Sequence, residues 1–179
     1  MISQSDTSEW RKHLRNKQEV LRFEFCESSG TQKLLKQHSN LVDQILSDIW
    51  LQSAIKDQAC LIAVGGYGRA ELFPYSDVDL LILLPNSDNQ ALNQKIEAMI
   101  SLFWDIGLAV GHSVRSLNEC IDEAKKDVTV QTNLLESRFL AGDKKLYNEF
   151  HAEMMSAMDI CKFFAAKLSE QEQRHARFD

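Results

Sequence analysis

The chain has 179 residues, of which 44% are apolar and 26% charged, with a formal net charge of −6. That length and balance suit one folded domain with room for a helical appendage, so disorder is not the default. The acidic balance argues against a protein that wraps nucleic acid, which needs a clustered basic surface, but not against a nucleotide substrate whose phosphates are neutralised by metal ions.

The opening stretch "MISQSDTSEWRKH" is polar and lacks the apolar segment of a secretory signal. No run reaches the roughly 20 apolar residues that span a bilayer, so the chain reads as soluble and cytoplasmic, without a membrane partner. Trp10, Leu14 and Leu21 fall on one face of a first helix. Leu34, Leu41, Val42, Ile45, Leu46, Ile49 and Trp50 recur at helical spacing in a second, and Gly30 between them reads as a C-terminal cap. Residues 1–58 are therefore expected to form a helical hairpin that packs on the downstream domain; a partner-binding surface is the alternative.

The period then changes. "CLIAV" reads as a short buried strand ending in glycines, and "VDLLILL" as a second, bracketed by the only two prolines, Pro74 and Pro85. Leu92, Ile96, Met99, Ile100 and Phe103 give one face of a helix over 89–106, and "LAVGHSVR" is a third strand. A polar helix starts near Leu117, with "NECIDEAKKD" as a solvated face. "TNLLESRFLAG" looks like helix closed by Gly142, and 144–179 is helical in composition. Trp50 and Trp104 sit in apolar helical patterns and are expected in the core. Cys26, Cys60, Cys120 and Cys161 have neither metal-ligand spacing nor the density of a disulfide framework. The end, "QRHARFD", carries no cap or turn signal, as expected of a chain cut from something longer. The fold expected is α/β (α+β): a small mixed sheet with flanking helices, its core at 59–142 and a helical segment at 143–179 leading towards a further domain.

Of seven glycines, Gly65, Gly66 and Gly68 stand within four residues, between the first strand and a short helix. Glycine permits φ > 0 and lets an anion approach backbone N–H groups without a β-carbon in the way. Arg69 could add a fork of donors to a phosphate oxygen. The third glycine of a dinucleotide fingerprint is missing, and so is the Gly-Lys-Ser/Thr ending of a Walker loop. A tight turn with no ligand is the competing explanation.

Asp77 and Asp79 share one face of a strand, because residues i and i+2 point the same way. Two like charges so close need neutralising, and a hard divalent cation does so: Mg²⁺ takes one or two carboxylates and completes its shell with water and phosphate oxygens. Alternatively, Asp77 caps a turn after Ser76 and Asp79 lies on an exposed edge.

"GG", ten residues, then D-x-D at the head of an apolar strand resembles the signature of the polymerase-β-type nucleotidyltransferase superfamily. The resemblance implies that Gly65, Gly66 and Gly68, with Arg69 and Ser76, bind the nucleotide, and that Asp77 and Asp79 are the catalytic ligands of two Mg²⁺ ions. "VGGYGRAELFPYSDVDLLIL", "WDIGLAVGHSVRSLNECIDEAKKDVTVQTNLLESRFLAGD" and "QRHARFD" resemble the N-terminal part of the bacterial PII uridylyltransferase family, from about Leu61 to Asp179. That family implies UTP as donor, a tyrosine of the PII nitrogen-regulatory signal protein as acceptor, and no nucleic acid. Adenylyl transfer to a protein such as glutamine synthetase, or nucleotide binding without turnover, are the alternatives. One departure is that many superfamily members carry a third carboxylate on a neighbouring strand, whereas "LAVGHSVR" has none. Asp127 and Glu136 are the nearest acids downstream, and Asp127 reads equally as a helix N-cap. His112 is a base or a structural residue, Arg115 a phosphate ligand or an ion-pair partner, and Tyr67 and Tyr75 stack on a base or shape the loop.

Overall fold

The computed structural model describes residues 4–27, 30–86 and 89–178. Two long helices, α1 (Gln4–Glu27) and α2 (Thr31–Gln52), precede the strand β1 (Cys60–Ala63). The glycines come next as a single turn, α3 (Gly65–Gly68), followed by β2 (Val78–Leu84), which contains Asp79 but begins one residue after Asp77, expected in the same strand. Then come α4 (Gln90–Asp105), β3 (Val110–Ser116), α5 (Leu117–Lys126), α6 (Val128–Leu135), β4 (Arg138–Gly142), α7 (Lys144–Ala157) and α8 (Ile160–Phe178). Among the described residues no helix is long and apolar enough to cross a membrane.

The four strands form one mixed sheet in the order β3-β2-β1-β4. β1 is antiparallel to both neighbours, whereas β2 and β3 run parallel, a pairing that needs a crossover, which α4 supplies. Every residue of β1 is buried, and every residue of β2 except Asp79. This is the continuous apolar pattern of strands covered on both faces. Leu61, Ala63, Leu80, Ile82 and Leu84 point to one side and pack with Val42, Ile45 and Ile49 of α2 and Ile96, Ile100 and Phe103 of α4. Cys60, Ile62, Leu81 and Leu83 point to the other and pack with Cys120 of α5, Leu134 of α6 and Phe150 of α7. Helices thus cover both sides, and the exposed Asp79 falls at the end of the face shared with α5, α6 and α7.

Three expectations are corrected. The stretch expected to run as helix to Gly142 is helical only to Leu135. Arg138–Gly142 is a strand, because β1 has an open edge and pairs with it, from Cys60↔Gly142 to Ala63↔Arg138. A tertiary hydrogen-bonding partner overrides a local helical pattern. Gly142 ends that strand at φ +95°, and a β-carbon there would strike the Ala59 carbonyl oxygen. Gly30 is the N-cap residue of α2, at φ −120°, rather than a left-handed C-terminal cap. Trp50 is fully buried as expected, but Trp104 is half exposed, its indole N–H donating to the Val110 carbonyl at 3.1 Å. Cys60 and Cys120 are buried free thiols and Cys161 an exposed one; Cys26 lies outside the residues with described side chains.

Candidate functional site

The site forms where β1 ends and β2 begins. The Val64 N–H donates to the Asp79 carbonyl at 3.1 Å, which fastens the start of the glycine turn to β2. Gly65 then takes φ +59°, a conformation that L side chains rarely adopt, and α3 turns once. The Gly65 and Gly66 carbonyls accept from Arg69 N–H at 3.1 Å and Glu71 N–H at 3.0 Å. The first N–H groups of such a turn have no acceptor within it, the arrangement that suits an anion; Gly65 is buried and Gly66 half-buried.

Asp77 and Asp79 are both exposed, while Val78 and Leu80 between and beyond them are buried. Asp79 lies opposite Gly111 in the parallel register. A β-carbon on Gly111 would stand 2.7 Å from Asp79 Oδ1, and one on Gly65 would stand 3.8 Å from Asp79 Oδ2 and 3.3 Å from Asn133 Oδ1. The carboxylate is thus seated between two glycines from different elements, and the Asn133 amide of α6 borders the same Gly65. Although the residue is exposed overall, desolvation of its carboxyl between the two glycines, and then the charge of Asp77, raise Asp79 from its usual value. Among the described residues neither aspartate has an ion-pair partner. Two hard oxygen donors with uncompensated charge fit Mg²⁺, which needs no more protein ligands than these. No group of three or more His, Cys, Asp or Glu suited to a metal occurs among the described residues, so a three- or four-ligand zinc site does not fit.

The other residues expected at the site divide. Gly66 has space at its α-carbon, the nearest atoms being Arg69 Nη2 at 3.7 Å and the Glu71 carbonyl at 3.8 Å. Gly68 is buried, and a β-carbon there would overlap the Glu136 carbonyl, so close packing on the turn before β4 demands this glycine. Arg69 is half exposed and spans two carboxylates, Glu71 at 2.8 Å and Glu136. Ser76 lies in an exposed turn, its N–H on the Phe73 carbonyl at 3.1 Å. It borders a cavity of about 810 Å³ between α1, α2 and the 72–76 and 107–109 loops, lined by Val78 on the face away from Asp79.

The residues with two readings take the following positions. His112 is paired with Leu80, on the opposite face from Asp79, and packs edge-on against Trp104 at 5.9 Å. Arg115 shares the aspartates' face but sits four residues further along β3, roughly 13 Å away at ~3.3 Å per residue. Asp127 caps α6, accepting from Thr129 N–H at 2.6 Å and Val130 N–H at 3.4 Å, and these bonds lower its pKa. Glu136 is committed to Arg69. Tyr67 is buried against the loop, and Tyr75 is almost wholly exposed. Sequence reasoning missed Gly111, Asn133, Asp43 and Arg138. Only Gly111 left a signal, a glycine in a strand, which often marks close backbone approach.

Residues 40–135 match the nucleotidyltransferase domain family. Over 176 residues the chain is 43% identical to a bifunctional uridylyltransferase/uridylyl-removing enzyme of Chromobacterium violaceum, covering 98% of this chain and 21% of that protein. It is 42% identical to the enzyme of the same description from Aromatoleum aromaticum, over 98% of this chain and 20% of that one. The chain therefore spans about a fifth of the length of these relatives. A solved toxin–antitoxin structure with AMP-PNP is similar at 14% identity and a TM-score of 0.39, over 74% of this chain and 91% of that one, a likeness too loose to bear weight.

Proposed function

This chain belongs to the nucleotidyltransferase domain family, and on that premise we propose that it transfers a uridylyl group from UTP to a tyrosine of the PII signal protein, releasing pyrophosphate. The observation that carries this reading is the seating of the Asp79 carboxylate against Gly65, which brings an anion-accepting turn and a cation-seeking carboxylate pair to one spot. The reading rests also on the names of the relatives, which describe uridylyl transfer.

In this scheme the N–H groups of Gly65 and Gly66 bind the triphosphate, and Asp77 and Asp79 hold two Mg²⁺ ions. When bound, the metal supplies neutralisation of the polyphosphate and a lower pKa for the attacking phenol, which at about 10 is otherwise a poor nucleophile. The chain's own contribution is to fix two carboxylates and the phosphate-binding turn rigidly to adjacent strand ends, so that the α-phosphorus is presented in line with the acceptor oxygen. Gly68 and Arg69 act behind the turn by packing and ion pairing, and Ser76 lies at its approach. The core of this activity is 59–142, and the compartment is the cytoplasm.

A second reading, nucleotide binding without turnover, is favoured by one observation. Ala109, whose carbonyl accepts from Val78 N–H at 2.7 Å, flanks Asp77 where a third carboxylate could stand. The deciding experiment is the intact mass of PII protein after incubation with this chain, Mg²⁺ and each of the four nucleoside triphosphates. A UMP-sized increase with UTP alone, lost in the Asp77→Ala/Asp79→Ala variant, supports transfer. An AMP-sized increase points to adenylyl transfer, and binding without any mass change to the non-catalytic reading.

A further inference from the structure

Behind the glycine turn lies a polar cluster that the proposed chemistry does not use. Arg138 opens β4, and its guanidinium donates to both carboxylate oxygens of Asp43 on α2, at 2.5 and 3.1 Å. The same group donates through Nη2 to the Tyr67 carbonyl at 3.0 Å and through Nε to the Gly68 carbonyl at 3.1 Å. The Tyr67 hydroxyl donates to Asp43 Oδ1 at 2.6 Å, and the guanidinium carbon stands 5.3 Å from the centre of the Tyr67 ring. All three guanidinium nitrogens are used, and the Tyr67 side chain is fully buried.

A four-residue helical turn has almost no stability of its own, because nucleation fixes several residues for one hydrogen bond. Its shape must therefore be imposed from outside. The Tyr67 and Gly68 carbonyls lie at its C-terminal end, where carbonyls run short of N–H donors and a cation is favourable; the Tyr67 carbonyl also accepts from Ala70 N–H at 3.0 Å. N–H and C=O groups of one turn point in opposite directions along its axis. Fixing these carbonyls on Arg138 aims the Gly66 N–H the other way, towards the start of the turn, where the Val64 N–H is fastened to the Asp79 carbonyl.

We infer that the Asp43–Arg138 pair, with Tyr67, is a positioning device for the nucleotide's phosphates, setting the Gly65–Gly68 turn from behind without touching the substrate. This deepens the proposed nucleotide-binding role and rests on it. A simple tie between α2 and β4 would need only the Asp43–Arg138 bonds. Here two further guanidinium bonds go to carbonyls of the turn, and the turn's own phenol donates back to Asp43.

The test uses the whole chain, Mg²⁺ and UTP as the probe, with wild type, Arg138→Lys and Tyr67→Phe compared by calorimetry and by amide hydrogen exchange. A lysine keeps the charge but cannot reach two carboxylate oxygens and two carbonyls together. Arg138→Lys is expected to bind Mg·UTP about tenfold more weakly, with exchange accelerated at residues 65–71 and not across α4 or α7. Tyr67→Phe, which removes one hydroxyl, is expected to lose about two- to threefold in the same way. Wild-type affinity in a folded Arg138→Lys, or faster exchange spread evenly over the protein, overturns the inference while the functional reading stands. If Arg138→Lys does not fold, unchanged affinity and exchange in Tyr67→Phe overturn it. Failure of the wild-type chain to bind Mg·UTP overturns the functional reading, and this inference with it.

Discussion

Asp79 and Gly111 are register partners across the parallel β2–β3 pair, and Asp79 Oδ1 occupies the space that a Gly111 side chain would need, 2.7 Å from the position of its β-carbon. The obstacle is the end of a side chain, not backbone, so Gly111→Ala can fold by pushing the carboxylate aside. Mg²⁺-dependent UTP binding is expected to fall about tenfold or more, since a displacement near 1 Å is costly at a positioned site. Calorimetry beside a thermal melt checks this; full affinity would show that the seating of Asp79 is incidental.

Asp79→Asn should separate function from stability. Partial desolvation and the Asp77 charge raise the Asp79 carboxyl in the folded state, so the folded chain holds that proton more tightly than the unfolded one. Stability then falls as pH rises from the unfolded value of about 3.9 through the raised folded value, and the deficit is complete above it. Removing the charge is expected to raise the metal-free melting temperature at pH 7 by about 1–3 °C, a small gain because Asp79 is exposed and screened. The advantage should vanish below pH ~3.9. Uridylyl transfer by the same variant is expected to drop by orders of magnitude, because the loss falls on the transition state.

Gly66 and Gly68 should respond in opposite ways to the same added methyl. Gly68→Ala drives a β-carbon into the Glu136 carbonyl, and backbone on both sides leaves no room, so a loss of about 3 kcal/mol or more is expected. Gly66→Ala meets nothing closer than 3.7 Å and should fold, with weaker triphosphate binding as its main effect. Denaturant unfolding and nucleotide titration of both variants give the comparison. Equal stability in the two would contradict the packing role of Gly68.

Ala109 offers a gain-of-function test. Extending the β2–β3 register by one residue beyond Val78↔Val110 sets Ala109 beside Asp77, and both are exposed. Ala109→Asp is expected to tighten Mg²⁺ binding several-fold, while a third like charge lowers metal-free stability by about 1 kcal/mol. Melting temperature measured against Mg²⁺ concentration reads both effects, and an unchanged Mg²⁺ dependence would place residue 109 outside the metal's reach.

Much of the architecture was legible along the chain. The three- and four-residue recurrence of Leu41, Val42, Ile45 and Ile49 marks α2, and the buried runs flanking the glycines mark β1 and β2. These signals survive because backbone periodicity alone places the apolar side chains on one face. Arg138–Gly142 failed the same test. Its local pattern is helical, and it becomes a strand only because β1 has an edge to pair with, about eighty residues earlier in the chain.

The candidate site divides along the same line. By itself the sequence determined the two features that depend on neighbours in the chain: glycines clustered at a strand end, and aspartates at i and i+2 on one face. Only the tertiary structure decided that Gly111 makes room for Asp79, that Gly68 serves packing, and that Arg69 spans Glu71 and Glu136. It alone brought Arg138 to Asp43, 95 residues away, and Asp43 to Tyr67, 24 away. The physical reason is range: covalent spacing dictates which groups share a face of one element, whereas the partner across a gap is chosen by how whole elements pack.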